Sequence, residues 1–526
     1  MRREPGLLAS RQFDLLVIGG GITGSAIARD AAMRGMSVAL VEKDDFASGT
    51  SSRSSKLVHG GLRYLEHGDL ALVRESCRER QRLLTLAPHL VKPLSFLLPW
   101  TSGGGWPPYI FLRAGLLLYD IFAGRTRIGF HHGLSGRELA RLEPALAGGT
   151  ATAGAEYYDA VMDDARVALE VALGAVQAGA VALNHAEVKS LLRSPDGRID
   201  GAKVHDIPGG RDYEVRARLT VNATGPWGDS LLRLAGRTGT PVLRPTKGVH
   251  LIMKQSLTSH ALIVRAKEDK RVFFVIPWQG LTIIGTTDTD YSGDIDDIRA
   301  DGEDIAYLLA QASAVMPSAR VRREDILCAY AGVRPLLAGD PSHPSATSRE
   351  HRIWEEPRGM LSIMGGKFTT FRAMAEDAVD KSRKILGLPR MASPTRGTAL
   401  PGAEPSGETT GSFPAGQKKR LENIYGTRAG AVLNTASLLK DGFRPLCPHT
   451  QRTRAEAVFA VEDELALTLT DVLERRLRLA LTCSCRGEDA VENTADAIAP
   501  LLGWSGEERK KHTDHYLAQL AASKIS

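Results

Sequence analysis

Cysteine is scarce. Five stand among 526 residues, too few for a disulfide framework, and a reducing compartment is the natural setting. Aromatic residues make up only 6%. Neither sign of charge dominates: 67 Lys and Arg face 61 Asp and Glu, a formal net charge of +6. That mild excess suits an anionic substrate, an anionic membrane surface or nucleic acid without choosing among them. The first twelve residues, ahead of a strand expected from Phe13, carry basic residues but no apolar h-region. No secretory signal is therefore expected, and the segment is short for a transit peptide. A long helical apolar run is missing too. Residues 93–112, PLSFLLPWTSGGGWPPYIFL, are uncharged and have the membrane-spanning length of about 20 residues. Pro93, Pro99, Pro107, Pro108 and the run Gly103, Gly104, Gly105 forbid one continuous helix there. Otherwise 43% hydrophobic and 24% charged residues match an ordinary soluble protein and exclude wholesale disorder. At about 150 residues per domain the length accommodates roughly three to four domains.

The proline-rich stretch does offer an aromatic surface: Phe96, Trp100, Trp106, Tyr109 and Phe111, then Tyr119 and Phe122, bracketed by Lys92, Arg113, Arg125 and Arg127. Apolar side chains dipping into one leaflet, with arginines at the headgroups, would make a monotopic anchor over 93–127. A loop packed on the protein's own core is the other reading.

Three regions follow one another. Residues 13–380 alternate short β-branched runs with Ala-rich helical patterns, the signature of α/β architecture. Residues 389–416 are dense in Pro, Gly, Ser and Thr and read as a linker or extended excursion. In residues 417–526 no convincing strand is visible. Val458, Val461, Leu465, Leu469 and Val472 recur at helical spacing, and Ser505 with Glu508 forms a capping box, so this region is expected to be a small all-α domain.

The strongest local signal lies between Phe13 and Gly35. Leu15–Ile18 reads as a buried parallel strand, Gly19-Gly20-Gly21-Ile22-Thr23-Gly24 fits G-x-G-x-x-G, and an Ala-rich helix follows. Gly19 allows the tight turn, Gly21 lets the backbone approach a pyrophosphate, and Gly24 permits close helix–strand packing. The next strand, Ser37–Val41, ends at Glu42, 18 residues past Gly24, where an acid accepts hydrogen bonds from a ribose. A dinucleotide site is expected. The segment Ser48–Lys56, with Ser51, Ser52 and Ser55, is rich in hydroxyls suited to phosphates and a flavin edge, which favours FAD over NAD.

Four further segments narrow the choice: HGGLRYLEH (59–67), VNATGPW (221–227), GVRP (332–335) and GGKFTTFRAMA (365–375). They resemble segments shared by FAD-dependent, quinone-linked glycerol-3-phosphate dehydrogenases, a group within the amino-acid-oxidase-like flavoprotein fold. MDDAR (162–166), EDKRVFFVIPW (268–278), IIGTTD (283–288) and EDELALTLTDVLERRLRL (462–479) add lesser matches. The resemblance implies an FAD-binding Rossmann-like domain (11–91, 150–225 and 330–388) interleaved with a β-sheet substrate domain (92–149 and 226–329), then the linker and the helical domain. Two positions depart from the pattern: Ala26 stands where the group usually has Gly, and Phe371 where it usually has Tyr.

The implied reaction oxidises sn-glycerol 3-phosphate to dihydroxyacetone phosphate by hydride transfer to flavin N5, with electrons passing to a membrane quinone. A secondary alcohol needs a hydride acceptor beside C2 and a base for the hydroxyl proton. A phosphate dianion needs cations on the same face, and Arg63, Arg334 and Lys367 come from distant segments as a pocket requires. By resemblance, Arg63, Tyr64, Arg334 and Lys367 line the substrate pocket with Thr287 nearby. Gly60, Gly61, Gly365, Gly366, Phe368 and Thr369 join the cofactor side. Gly365-Gly366 suggests close backbone approach to the isoalloxazine, with a helix from about Thr369–Thr370 aimed at the ring. His59 and His250 are the candidate bases. Because Arg is almost never deprotonated, Arg334 is expected to stabilise developing charge while His59 or a water moves the proton; His250 is equally readable as a structural residue.

Cys483-Ser484-Cys485 lacks a second Cys/His pair at zinc spacing, so no metal site is expected. Arg475, Arg476 and Arg478 read as a solvated or interface face, not a nucleic-acid site. Cys77 and Cys328 read as core. The expected partners are the phosphate ester, a quinone and an anionic membrane surface, with the protein held at the inner face of the cell membrane; a homodimer is left open. Rival readings are a glycerol-3-phosphate oxidase using oxygen, an amine or amino-acid oxidase of the same fold, and a non-catalytic FAD-stabilised docking protein.

Overall fold

The computed structural model describes residues 3–62, 68–101, 107–124, 128–338, 351–404, 414 and 416–524. Phe13–Ile18 is almost wholly buried and itself apolar at every position after Asp14, as a central parallel strand requires. It pairs in parallel with Val38–Val41 on one side and Arg211–Asn222 on the other. Val181–Leu183 extends the sheet beyond Val38–Val41, and Met360–Gly365 beyond Arg211–Asn222, both in parallel. The strand His351–Glu355 closes that edge in antiparallel sense. Helix Ile22–Met33 covers the sheet between helices Asp164–Gln177 and Phe371–Ile385. Gly24 is what seats it: a Cβ there would lie 1.9 Å from the Gly19 carbonyl oxygen.

The second sheet has ten strands and is mostly antiparallel. Its long central pair, Leu243–Met253 with Ile326–Leu337, brings Arg334 opposite Thr246 and Tyr330 opposite His250. Positions 246, 248 and 250 point to one face of the strand, so Arg334 and His250 share that face. Val91–Trp100 and Ala153–Met162 pair along the same sheet. Helix Tyr109–Ala123 lies over them, burying Leu112, Leu116 and Tyr119 against Phe96, Leu98 and Tyr157. Pro93 and Pro99, which rule out a helix, are accommodated in this strand. Among the described residues no helix is long and apolar enough to cross a membrane. Trp106, Arg125 and Arg127 lie outside the described residues.

Leu57–Val58, Ala153–Met162 and Ile326–Leu337, which fall wholly or partly in segments expected to form the FAD-binding domain, are strands of the second sheet. Runs of apolar residues look alike in either sheet, and only pairing separates them. Residues 389–404 are no free linker. Ser393 and Thr395 hydrogen-bond the buried Asp30 carboxylate, and Leu400 is 2% exposed.

The C-terminal region is helical, with Gln417–Tyr425, Ala429–Leu438, Arg454–Glu462, Val491–Leu502 and Gly506–Ala522 as its main elements. The Ser505–Glu508 capping box forms. The helix expected through Val458–Val472 does not run through: it stops at Glu462, Leu465 takes a positive φ of 59°, and a π-helical turn follows at Asp471–Arg476. Buried charge dictates this break. Glu464 turns inward to accept both Arg166 guanidinium nitrogens at 2.7 and 2.8 Å. Arg475, Arg476 and Arg478 are 5%, 1% and 1% exposed, which decides between the solvated and the interface reading in favour of the interface. They form an ionic seam to Asp45, Asp471 and Asp164 on the nucleotide-binding part of the chain and on the helical region itself.

Candidate active site

A cavity of about 610 Å³ opens where the two sheets meet. Its far end is the fingerprint. Gly19, at φ +109°, leaves room where a Cβ would lie 2.6 Å from the Ala223 carbonyl oxygen. Helix Ile22–Met33 begins there after Gly21, which has no side chain to cap it, so its N-terminus offers the amide hydrogens beyond Ile22 and a positive dipole end. Ser51 Oγ accepts from the Ile22 amide at 2.9 Å, tying the hydroxyl-rich segment to that terminus. Glu42 lines the cavity with its carboxylate already held by the amides of Gly20 (2.6 Å) and Asp44 (3.0 Å). This fixes the acid at the strand end.

The near end holds the reactive groups. Arg334, Lys367, His59 and His250 all line the cavity, as do Ser55, Gly365, Gly366, Phe368 and Thr369. Arg334 is clamped: Nη1 donates to Asp288 Oδ1 at 2.9 Å, and Nη2 to Thr286 Oγ1 at 2.7 Å and the Thr287 carbonyl at 3.0 Å. Glycine clears its path, since a Cβ on Gly248 would meet Nη2 at 2.4 Å. His250 is 2% exposed, stacks on Tyr330 with centroids 4.9 Å apart, and shares a hydrogen bond of 2.7 Å between Nε2 and Ser55 Oγ. Burial first, then the nearby charges of Arg334 and Lys56, push its imidazole well below the ordinary 6.5. It is neutral and a weak base.

Not every expected residue reaches the cavity. Gly24 packs the helix, as above. Ser52 is buried below the wall, where its carbonyl accepts from Lys56 Nζ at 3.3 Å. Gly60 is set among Tyr119 and Cys77, whose atoms a Cβ would strike at 2.3 and 2.5 Å, and neither it nor Gly61 is in the lining. Thr287 also stays out; its hydroxyl accepts from the Val249 amide at 3.0 Å and its carbonyl holds Arg334. Arg63 and Tyr64 lie outside the described residues. Sequence reasoning missed Thr286 and Asp288, although both stand in the quoted IIGTTD segment, and Arg53, a further cation on the wall. Phe371 is buried edge-on to Phe368, in apolar surroundings that the ring alone fills.

The hydroxyl-rich segment has its own foundation. Lys56, fully buried, pairs with Asp164 at 2.8 Å; Ser54 Oγ donates to the same carboxylate, and Arg478 of the helical region completes it at 3.2 Å. Burial, only partly offset by Asp164, lowers the Lys56 ammonium to about 8.

Residues 14–380 match the family described as FAD dependent oxidoreductase. Glycerol-3-phosphate dehydrogenase 2 of Mycobacterium tuberculosis is 40% identical over 99% of this chain and 90% of its own length. The glycerol-3-phosphate dehydrogenase from Bacillus halodurans, solved in complex with FAD, superposes with a TM-score of 0.82 at 30% identity, covering 99% of this chain and 98% of that one. The chain belongs to the FAD-dependent glycerol-3-phosphate dehydrogenase family. Residues 393–509 match the C-terminal domain of alpha-glycerophosphate oxidase, and the Synechocystis glycerol-3-phosphate dehydrogenase is 37% identical over 96% of this chain. As in other members of the glycerol-3-phosphate dehydrogenase family, the cofactor is FAD. The side-chain-free cradle at Gly19 and Gly21, the helix terminus after it and Glu42 fit its dinucleotide half. Gly365 and Gly366, both at positive φ, fit close approach of a flat ring.

Proposed function

We propose that the protein oxidises sn-glycerol 3-phosphate to dihydroxyacetone phosphate and passes the electrons to a membrane quinone. The observation that carries this reading is the clamped Arg334 in the same cavity as Lys367 and the dinucleotide cradle. When bound, FAD supplies the hydride acceptor. The chain supplies the rest. Arg334 presents a planar fork, oriented in advance by Thr286 and Asp288, to substrate oxygens, and Lys367 adds a point charge. Because Arg334 keeps its proton throughout, its role is electrostatic: it favours the charge that grows on the C2 oxygen. His59 takes the hydroxyl proton. His250, its basicity depressed by burial, instead holds the Ser55 hydroxyl in the wall.

Anaerobic titration of the purified holoenzyme, followed by flavin absorbance, tests the substrate. Bleaching by sn-glycerol 3-phosphate and not by amino acids is expected; the reverse pattern would make the protein an amino-acid oxidase. Reoxidation of that reduced enzyme by a soluble quinone should outrun reoxidation by dissolved oxygen, and the opposite order would make it an oxidase.

The outer face of helix Tyr109–Ala123 supports the quinone reading. Ile110, Phe111, Leu117 and Ile121 are 74%, 67%, 55% and 62% exposed, and 110, 117 and 121 fall on one helical face. An exposed apolar stripe of this kind suits the boundary of one leaflet, which would hold the protein at the inner face of the cell membrane. Phe111→Ser combined with Ile121→Ser should abolish retention on anionic phospholipid vesicles and leave dye-linked activity unchanged. Undiminished retention would place the anchor elsewhere.

A further inference from the structure

Three of the five cysteines converge in the C-terminal region, away from the cofactor cavity. Cys447 lies between the helices Ala429–Leu438 and Arg454–Glu462, and Cys483 and Cys485 follow the short helix Leu479–Thr482. Their Sγ atoms are 3.8 Å (447–483), 3.7 Å (447–485) and 3.3 Å (483–485) apart. A disulfide would need about 2.05 Å, so no pair is bonded. Four thiolates at about 2.3 Å around a tetrahedral cation stand about 3.8 Å from one another. Two edges of the triangle already have that length, and a small side-chain rotation opens the third.

The surroundings suit a soft cation. Cys447 and Cys483 are 3% and 2% exposed, while Cys485 is only half-buried and leaves one side open for entry. His449 follows Cys447 by two residues. Its carbonyl accepts from the Cys483 thiol at 3.6 Å, and its Nε2 pairs with Asp489 at 3.2 Å. The imidazole itself does not converge with the three thiols, so the fourth ligand would come from a rotation of this side chain or from water. A donor set of thiolates, with no carboxylate among the three converging ligands, selects zinc over magnesium or calcium. The other convergent group, Asp44, His185 and Asp471, is neutralised by Arg475 and His185 itself and belongs to the ionic seam.

We propose that Cys447, Cys483 and Cys485 bind a zinc-type divalent cation, with the fourth position beside His449. The ion would staple the turn bridged at Pro445 and Thr453 to the segment leading into helix Val491–Leu502, a structural role in a small domain. The absence of a second Cys/His pair at short spacing hid this site in the sequence, because the missing ligand stands 36 residues upstream of Cys483. The proposal is independent of the redox reaction.

Holoenzyme purified without chelator should contain about one zinc per chain by plasma mass spectrometry, as a closed structural site does. Cys485→Ser, at the half-exposed position, should lose that zinc while keeping its flavin. For the wild-type protein, exchange into cobalt should give the visible bands of a tetrahedral cobalt thiolate, and zinc should protect the three thiols from iodoacetamide. Wild-type protein without stoichiometric zinc, or one that after reduction gives neither cobalt bands nor zinc-dependent thiol protection, would overturn the site.

Discussion

Replacing Arg334 with alanine should lower kcat/KM for sn-glycerol 3-phosphate by about 3–5 kcal/mol, the loss expected when the proposed charged contact to substrate is removed. That is roughly 150- to 5,000-fold, at about 1.36 kcal/mol per decade. The guanidinium is held by three acceptors on one short segment, Thr286 Oγ1, the Thr287 carbonyl and Asp288 Oδ1, so its orientation exists before substrate arrives and costs little at the moment of reaction. Steady-state kinetics with a dye acceptor distinguish its two tasks. An equal fall in kcat and kcat/KM assigns Arg334 to charge that develops at C2; a rise in KM with kcat unchanged assigns it to phosphate binding. Arg334→Lys keeps the charge and loses the fork, and should recover only part of the defect. Asp288→Asn removes the carboxylate charge from the clamp but keeps an acceptor oxygen and leaves the guanidinium in place, so it should move both constants less than the alanine variant does. Wild-type kinetics for Arg334→Ala would remove this residue from the substrate site and the proposed chemistry with it.

The residues that were legible in the sequence are those whose role is written in local spacing. Gly19, Gly21, Gly24 and Glu42 belong to one turn, one helix start and one strand end, all within a single β-α-β unit, and the structure places each of them there. Arg334, Lys367 and His59 are legible through matching segments and His250 only as a residue type, but the convergence of Arg334 with His250 depends on a pairing of Leu243–Met253 with Ile326–Leu337 that no local pattern specifies. Ser52 and Thr287 show the limit from the other side. Alternate residues of an extended or turning segment face opposite ways, so a hydroxyl one position from the wall serves the backbone behind it. Which of the two faces the arginines take, solvent or interface, is hidden for a related reason. A basic run on an amphipathic helix normally faces water, and only the carboxylates that fold against it from Asp45, Asp164 and Asp471 reveal an interior seam.

That seam makes Asp45 the most consequential acid outside the cavity. It is fully buried and takes Arg475 Nε at 2.8 Å, Arg476 Nη2 at 2.9 Å and the Asn184 amide at 2.9 Å. Removing one member of a buried ion pair strands its partner without water, at a cost of about 3–5 kcal/mol. Asp45→Ala should therefore lower the midpoint of urea unfolding more than any surface substitution, whereas Asp45→Leu combined with Arg476→Met, which removes both charges, should regain a large part of the loss. An unchanged midpoint in the single variant would show that the helical region docks by apolar packing alone. The same seam confines stability to a window of pH. At His185, burial opposes protonation but the Asp471 carboxylate outweighs it and raises the imidazole from the ordinary 6.5 to about 9; its contribution is complete below 6.5 and disappears as pH rises through 9. At Glu464, burial opposes ionisation but Arg166 and Arg428 hold the carboxyl at about 2, against an ordinary 4.5; its contribution is complete above 4.5 and disappears as pH falls through 2. The alkaline limit is the nearer to neutrality, so loosening of the helical region should begin there. His185→Gln, which cannot titrate, should flatten the dependence of the urea midpoint between pH 6.5 and 9, and a wild-type slope in that variant would assign the alkaline limb to another group.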